Sequence, residues 1–281
     1  MVDDVVLLTG ASGAIGAEAA RGLAARGARL ALVARREEML DRVAADIRRA
    51  GGAVPFVVPA DLGTPGEADR AADAVLDHFG RVDVLVNGAG ATVHGLSWVV
   101  GDDERARRMF QVNFWSPKAL LAAVVPGMVD RGRGLVVDVG SMARVSPFPH
   151  LGHYAASRAA VSAATQVLQL EVRPRGVRVV ELALGPVDSP ASRETRRLHG
   201  SDTWLDGPPG LSTPERAAAA LVDVVVGTAE GVVHHPGSLR WIERFPFLGR
   251  RYSRRVARGA DLDDRSVHPE RTDGQGGAGP M

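Results

Sequence analysis

The chain is 281 residues long, contains no cysteine, and sets 34 lysine and arginine residues against 33 aspartate and glutamate residues, a formal net charge of +1. This near balance argues against a partner held mainly through phosphate charge, so nucleic acid is not expected. The lack of cysteine excludes disulfides, thiolate metal sites and thiol nucleophiles, and it fits a reducing, cytoplasmic compartment. Only Lys118 among the basic residues is a lysine, so nearly every positive charge is an arginine.

The N-terminus and the apolar stretches give no sign of export or of a membrane span. The chain begins MVDDVVLLTG, with acidic residues where a secretory signal carries basic ones. The longest apolar stretch, near 119–125, stops at Pro126 and falls short of the roughly 20 residues that cross a bilayer. We therefore expect a soluble protein without a transmembrane span.

In chain order, short β-branched runs alternate with alanine- and arginine-rich segments of helical spacing. The predicted strands cover residues 5–9, 29–34, 54–58, 82–87, 135–140, 177–184 and 231–235. The predicted helices cover residues 14–26, 37–50, 66–79, 103–129, 154–172 and 214–228. This alternation is typical of a parallel sheet with helices on both faces. We predict one α/β domain over residues 1–237, a doubly wound, Rossmann-like sheet of about seven strands.

Two segments depart from this alternation. Residues 190–210 are rich in glycine and proline, which favours a lid or binding loop, although a plain surface excursion suits the composition equally. Residues 238–259 interleave aromatic residues with arginines, which predicts a basic amphipathic helix. We favour packing of its aromatics on the chain's own domain or a second subunit over peripheral membrane contact. The polar, glycine-rich residues 260–281 are expected to be disordered.

A glycine-rich turn follows the first predicted strand and opens the first predicted helix. Glycines there let the backbone turn sharply and approach a diphosphate, which is then stabilised by the positive end of the helix. Its position at the start of an α/β repeat favours a dinucleotide over simple chain reversal. The residues we expect to contact the dinucleotide in this turn are Gly10, Ser12, Gly13, Ala14, Ile15 and Gly16.

The ends of the next strands predict which dinucleotide is bound. NAD-binding proteins usually place an acid after the second strand, but here Ala34 is followed by Arg35 and Arg36. Arginines suit a 2′-phosphate, so NADP(H) is preferred over NAD(H). After the third strand, Asp61 could accept a hydrogen bond from the adenine amino group. The residues expected to border the cofactor at the ends of the third and fourth strands are Asp61, Leu62, Asn87, Ala89 and Gly90.

Tyr154 and Arg158 are the candidates for proton transfer. They are four residues apart on one predicted helix and therefore share a face. A free tyrosine ionises near pH 10, and an adjacent cation such as Arg158 favours the phenolate. Ser141 closes the fifth predicted strand, at the carboxyl edge where ligands bind in such sheets.

Together these motifs resemble the short-chain dehydrogenase/reductase family in its ordinary-length form, over residues 5 to about 230. The motifs that carry the resemblance are the turn at 9–16, Asp61, the sequence NGAG at 87–90, Val112-Asn113 with Pro126, Ser141, YAASR at 154–158 and GPVDSP at 185–190. The resemblance implies that Tyr154 is the acid/base, Ser141 holds the substrate carbonyl oxygen and Asn113 anchors a proton-relaying water. It also implies that Gly185 and Val187 flank the nicotinamide, and that the protein is a homodimer or homotetramer.

The main departure from the family is Arg158, which stands where the family has lysine. Arginine keeps the charge, but with a pKa above about 12 it cannot release a proton to a relay, and its fork is bulkier. Two hypotheses follow. The first is an NADP(H)-dependent oxidoreductase that interconverts a ketone and a secondary alcohol. The alternative is a protein of the same fold with NADP bound and a non-redox role, as cyclase, dehydratase or isomerase, or with no catalysis.

The remaining sequence patterns bear on metal binding, on the type of reaction and on the class of substrate. The histidines are scattered without metal-ligand spacing, so no metal is expected. Ser141 lies in VGSMA rather than a G-x-S-x-G elbow, which argues against a serine hydrolase. The side chains expected around the substrate are mostly apolar, which predicts a hydrophobic small molecule. They are Val93, His94, Trp98, Met142, Val145, Phe148, Leu198 and Trp204.

Overall fold

A computed structural model of the chain describes residues 2–199, 210–258, 260 and 262. Seven parallel strands form one sheet in the order β3-β2-β1-β4-β5-β6-β7, which confirms the doubly wound fold. They are β1 (Val5–Thr9), β2 (Arg29–Ala34), β3 (Phe56–Pro59), β4 (Val84–Asn87), β5 (Gly134–Ser141), β6 (Val177–Leu184) and β7 (Gly231–His235). The order reverses between β1 and β4, which opens a crevice at their carboxyl ends.

Helices cover both faces of this sheet. In chain order they are α1 (Ala14–Ala24), α2 (Glu37–Arg49), α3 (Glu67–Phe79), α4 (Ser97–Val100), α5 (Glu104–Phe110), α6 (Ser116–Asp130), α7 (Gly152–Val172), α8 (Pro190–His199), α9 (Pro214–Val226), α10 (Arg240–Arg244) and α11 (Pro246–Ala257). Two hydrophobic cores result, one beneath α1, α2 and α9 and the other beneath α3 and α6. Residues of β1 alternate between them, which is why the whole strand is apolar and buried.

The predicted helix at 103–129 is interrupted. A π-helical turn, Gln111–Trp115, joins α5 to α6, and Asn113 is buried within it. Glu104–Asp130 is also the one run among the described residues with the length and apolarity of a membrane span. Leu120, Val124 and Met128 are buried in the core beneath it. The run therefore packs as a core helix against the sheet.

The prediction of a loose segment over 190–210 is wrong for its first half, which is helix α8. Ser189 accepts a hydrogen bond from the Ser192 amide at 3.2 Å, and the Ser189 amide donates to Ser192 Oγ at 2.9 Å. A serine cap followed by proline is a helix-start signal, so the sequence contained evidence for this helix. Residues 200–209, which include Trp204, lie outside the described residues.

The predicted C-terminal helix forms as two helices, α10 and α11, which meet at Phe245. We expected its aromatics to pack on the chain's own domain or on a second subunit, and only some of them pack on the domain. Tyr252 contacts Phe148 edge to face, with ring centroids 5.9 Å apart, but Trp241 and Phe247 are exposed. Of the tail predicted to be disordered, only residues 260 and 262 lie within the described part.

Candidate active site

The glycine turn at the end of β1 is packed too tightly for side chains at two positions. Gly10 has a φ of +72°, and a Cβ there would lie 2.8 Å from the backbone of Gly88. A Cβ at Gly16 would overlap the carbonyl oxygen of Gly10. Ala14 is exposed at the start of α1, so its methyl group is accommodated. The turn therefore presents open backbone at the amino end of α1.

Thr9 fixes the neighbouring strand end against this turn, a role that was not predicted from the sequence. Its hydroxyl accepts hydrogen bonds from the amides of Gly88 and Ala89 at 3.0 and 3.1 Å. It donates to the carbonyl of Val86 at 3.2 Å. A Cβ at Gly88 would lie 2.7 Å from the Thr9 carbonyl oxygen, so this strand end requires glycine at position 88.

Two adjoining cavities occupy the crevice. The first, of about 510 Å³ and here called the glycine-side cavity, lies between the turn and the ends of β2, β3 and β4. Predicted cofactor residues that line it are Gly10, Ser12, Gly13, Arg35, Arg36, Asp61, Leu62, Ala89 and Gly90. The second, of about 670 Å³ and here called the tyrosine-side cavity, shares Gly10, Gly13, Arg35 and Gly90 with the first. The two therefore form one continuous cleft.

Charge at the glycine-side cavity is mostly positive. Arg35 and Arg36 are exposed at its rim, and Arg105 and Arg108 line it from α5. Asp61 forms an ion pair with Arg108 and accepts the Gly63 amide at 3.0 Å. Burial disfavours the charged Asp61 carboxylate, but these hydrogen bonds outweigh it and lower its pKa. Neither of the two α5 arginines was predicted from the sequence, because no strand-end pattern marks them.

The tyrosine-side cavity holds the predicted catalytic residues of β5 and α7 together. Ser141, Tyr154 and Arg158 all line it, as do the predicted cofactor residues Ala14, Ile15, Gly16, Gly185 and Val187. Ser141 closes β5 and accepts a hydrogen bond from the Ala143 amide at 3.2 Å. Because that bond uses an oxygen lone pair, the Ser141 hydroxyl proton remains available to a ligand.

Arg158 is buried beside Tyr154, with only 9% of its surface exposed. Its guanidinium carbon lies 5.3 Å from the centroid of the Tyr154 ring, and Nη1 donates to the Val139 carbonyl at 3.3 Å. A Cβ at Gly90 would overlap Nη2, so the bulkier fork fits because residue 90 is glycine. Arg158 Nε finds no hydrogen-bond partner in the described part of the chain. A buried cation with an unused donor thus adjoins the tyrosine.

Asn113 turns its side chain into the protein rather than into either cavity. Its amide nitrogen donates to the Ala91 carbonyl and to Ser157 Oγ, both at 3.0 Å, and its oxygen accepts the Ala91 amide at 2.8 Å. These bonds use both of its donors. The side chain therefore has no donor left for a water, and it ties the turn to Ala91 and Ser157.

Asn87 also lies beneath the cleft and lines neither cavity. Its side-chain amide donates to the buried carboxylate of Asp138 at 2.7 Å, and Thr165 donates to the same carboxylate. Asn87 therefore joins the end of β4 to β5 and, through Asp138, to α7. Of the predicted site residues, Asn87 and Asn113 support the cleft from below, and the others line it.

The far wall of the tyrosine-side cavity comes from α8 and the C-terminal segment. Thr195 of α8 lines the cavity, and its hydroxyl is 2.9 Å from His94 Nε2. Leu239, Ile242 and Tyr252 line it from the C-terminal segment, which we had not expected at the cleft. Of the predicted substrate contacts, Met142 and Phe148 lie in this cavity, Val93 lies in the other, and Trp98 is 74% exposed.

Comparison with known proteins places this cleft in a family. A family model described as short chain dehydrogenase matches residues 4–199, which end within α8. The chain belongs to the short-chain dehydrogenase family. The match covers the glycine turn, Ser141, Tyr154 and Arg158.

The chain matches different shares of the length of its relatives, and less than two thirds of some of them. An uncharacterized oxidoreductase of Mycobacterium bovis is 35% identical over 225 residues, which cover 79% of this chain and 64% of that protein. An 11-beta-hydroxysteroid dehydrogenase-like protein of Arabidopsis thaliana is 28% identical, over 85% of this chain and 75% of its own. A metagenomic short-chain oxidoreductase solved in complex with NADP has a TM-score of 0.69 and 27% identity, over 83% of this chain and 98% of its own.

The residues of the cleft fit a nicotinamide dinucleotide. The turn brings the bare backbone of Gly10, Gly13 and Gly16 to the amino end of α1, which suits a diphosphate. Arginines at the glycine-side cavity suit a phosphate on the ribose, and the unpaired Arg158 Nε suits a hydroxyl acceptor. The two joined cavities extend from Arg36 to Tyr154, so an elongated ligand can occupy both.

Proposed function

We propose that this member of the family is an NADP(H)-dependent oxidoreductase that interconverts a ketone and a secondary alcohol on a hydrophobic small molecule. One observation carries the proposal. Ser141, Tyr154 and Arg158 converge on a single cavity that continues into the glycine turn. A proton donor, a hydrogen-bond donor and a fixed cation therefore meet where a dinucleotide and a second ligand can lie side by side.

The roles of the three residues follow from their chemistry. When bound, NADP(H) supplies or accepts the hydride. The Ser141 hydroxyl, already accepting from Ala143, donates to the substrate oxygen. Tyr154 donates its phenolic proton to that oxygen during reduction and takes it back during oxidation. Arg158 places a buried positive charge 5.3 Å from the centroid of the Tyr154 ring, beside the group that exchanges the proton. Arginine does not release a proton, so we assign it no part in a relay.

The preference for NADP(H) is supported by arginines at the glycine-side cavity. Arg35 and Arg36 follow β2, and no acid stands at Ala34 to accept from a ribose 2′-hydroxyl. The acid in reach, Asp61, is paired with Arg108. The solved metagenomic relative contains NADP. Exposed guanidinium groups at this rim favour the extra phosphate.

The substrate class is supported by the walls of the tyrosine-side cavity. Apolar side chains from three parts of the chain line it, namely Met142, Phe148, Leu151, Leu184, Leu239 and Ile242. The Arabidopsis relative is named for its likeness to an 11-beta-hydroxysteroid dehydrogenase. An apolar ketone or alcohol buries its surface against these walls and directs its oxygen to Ser141 and Tyr154.

We also propose that the protein is a homodimer or homotetramer. Helix α7 exposes apolar side chains along one stripe, including Val167 at 53% and Leu170 at 77%. Ala156 and Ala163 are exposed on the same helix and are small enough for close approach of a second helix. Covering this stripe by a second copy removes apolar surface from water.

The test of the proposed function is reduction of a panel of hydrophobic ketones with NADPH or NADH. We expect the native protein to oxidise NADPH in preference to NADH. Tyr154→Phe should lower kcat by about 10²-fold or more, the usual contribution of a positioned acid. Quenching of NADPH fluorescence should show that this variant still binds the cofactor. NADPH binding without oxidation on any ketone would favour the non-redox alternative.

A further inference from the structure

The C-terminal module, residues 238–258, has an inner and an outer face. Its inner face packs on the domain through Leu239, Gly249, Ser253 and Val256, all buried. Ser253 Oγ lies 3.1 Å from Ser146 Oγ. These contacts fix the rotation of α10 and α11 about their axes.

An ion-pair cluster secures the same face. Arg144, only 6% exposed, donates to Glu181 at 2.9 Å and to Glu243 of α10 at 2.6 Å. His234 of β7 also bonds Glu243. Glu243 is the one acidic residue of the module, and these bonds direct it inward. The module is therefore attached to the sheet, and its outer face keeps no negative charge.

The outer face exposes a continuous aromatic patch. Trp241, Phe245, Phe247 and Leu248 are 51%, 41%, 58% and 40% exposed. The Trp241 and Phe245 rings stack with centroids 6.1 Å apart, and Phe247 meets Phe245 at the same distance. Scattered apolar residues are normal on a protein surface, but a contiguous patch marks an interaction site.

Arginines surround this patch. All seven arginines of the module are exposed, namely Arg240, Arg244, Arg250, Arg251, Arg254, Arg255 and Arg258. Those of α11 make no salt bridge within the described ranges 2–199 and 210–258. Arg240 lies over the Trp241 ring at 5.2 Å. Exposed positive charge thus flanks exposed aromatic and aliphatic side chains.

We propose that the outer face of the C-terminal module binds the surface of a membrane rich in anionic lipid. Tryptophan, phenylalanine and leucine insert at the boundary between headgroups and acyl chains, and arginines contact anionic headgroups. A second copy of this chain is a poorer occupant. A two-fold interface would place the same patch against itself and oppose seven arginines with seven others. The partner must supply negative charge and an apolar interior together, and an anionic bilayer supplies both.

Sedimentation of the full-length protein with lipid vesicles tests the proposal. We expect at least about tenfold stronger binding to phosphatidylcholine vesicles with about 30% phosphatidylglycerol than to phosphatidylcholine alone. Raising NaCl from about 0.05 to 0.5 M should weaken the binding, because salt screens exposed charges. The double variant Trp241→Ser/Phe247→Ser, and separately Arg250→Gln/Arg251→Gln, should each lower it about tenfold.

Matched controls separate this face from general surface properties. Trp115→Ser removes another exposed aromatic, and Arg42→Gln/Arg48→Gln removes two exposed arginines of α2 without salt bridges among the described residues. Both should bind vesicles like the native protein. Circular dichroism and light scattering on each variant report folding and oligomeric state. Equal binding to both vesicle types would overturn the proposal, as would a change of oligomeric state in the Trp241→Ser/Phe247→Ser variant.

Discussion

At the scale of single residues, Arg158 and Gly90 form a matched pair. The sequence indicated that arginine keeps the charge of the family lysine but has a bulkier side chain. The structure accommodates that bulk because Gly90 leaves space for Nη2. The guanidinium then reaches the Val139 carbonyl while staying over the Tyr154 ring. A single glycine in the 87–90 turn thus decides how an arginine fits beside Tyr154.

We predict that Gly90→Ala displaces the Arg158 guanidinium and lowers kcat/KM for ketone reduction by about 30-fold or more. The clash falls on the end of a flexible side chain, so the thermal unfolding midpoint should change little. Lysine does not extend to the position of Nη2. In an Arg158→Lys background, which should retain activity within about tenfold of the native protein, the same Gly90→Ala change should cost less than about threefold.

The double-mutant cycle can contradict the predicted interaction between residues 90 and 158. Equal losses from Gly90→Ala in both backgrounds would mean that the two side chains do not interact, and that residue 90 acts only on the cofactor. NADPH affinity, measured on all four proteins, separates the two cases. A coupling confined to kcat places the interaction at Tyr154 and Arg158.

At the scale of elements, the π-helical turn between α5 and α6 connects three parts of the site. Asn113 in this turn bonds the backbone of Ala91 beyond β4 and the hydroxyl of Ser157 on α7. Ser157 lies between Tyr154 and Arg158 in sequence and donates to the Tyr154 carbonyl at 2.8 Å. The turn therefore sets the position of helix α7 relative to the glycine-side cavity.

We predict that Ser157→Ala destabilises the protein by about 1–3 kcal/mol, because it leaves an Asn113 N–H buried without its partner. Asn113→Asp should cost more, because it replaces a donor with a charged acceptor facing the Ala91 carbonyl. Urea unfolding measures both, and Glu171→Gln on the exposed surface of α7 serves as the control. A Ser157→Ala variant as stable as the control would remove this role from Asn113.

At the scale of the whole molecule, the two ends of the parallel strands have different roles. The cleft lies at the carboxyl ends of the strands, and Asp83 links their amino ends. Its carboxylate accepts from the Val5 amide and from Arg81, both at 2.9 Å, and faces Arg133 at 3.6 Å. Burial opposes ionisation of Asp83, but these partners outweigh it and lower its pKa.

This linkage predicts how stability depends on pH. The folded pKa of Asp83 lies below the value of about 3.9 in the unfolded chain. Its contribution is therefore complete above pH ~4 and is lost as the pH falls through the folded pKa. Asp83→Asn should be less stable than the native protein at pH ~6, and the gap should narrow toward pH ~3. A gap that stays constant across this range would contradict the assignment.

Much of the fold could be predicted from the sequence, because buried parallel strands are continuous apolar runs and helices repeat with their own period. The structure differs from the prediction where a local signal in the sequence was overlooked, or where a tertiary contact determines the local conformation. Ser189-Pro190 was a helix-start signal that glycine and proline further along obscured. The π turn at Asn113 has no sequence period of its own, and its hydrogen bonds reach residues 22 and 44 positions away.

The sequence by itself determined the sheet, the glycine turn and the presence of Ser141, Tyr154 and Arg158 at one edge, because strand ends and helix faces are local properties of the chain. Only the tertiary structure decided which of these side chains enter the cleft. The side chains of Asn87 and Asn113 form hydrogen bonds with buried partners and do not line the cleft. Tyr252 lines the cleft although it lies nearly a hundred residues after Tyr154 in the sequence. The near balance of total charge also gave no indication that arginines are concentrated on one surface of the folded protein. The arginines of residues 238–258 share one outer face because buried contacts fix the opposite face of the two helices.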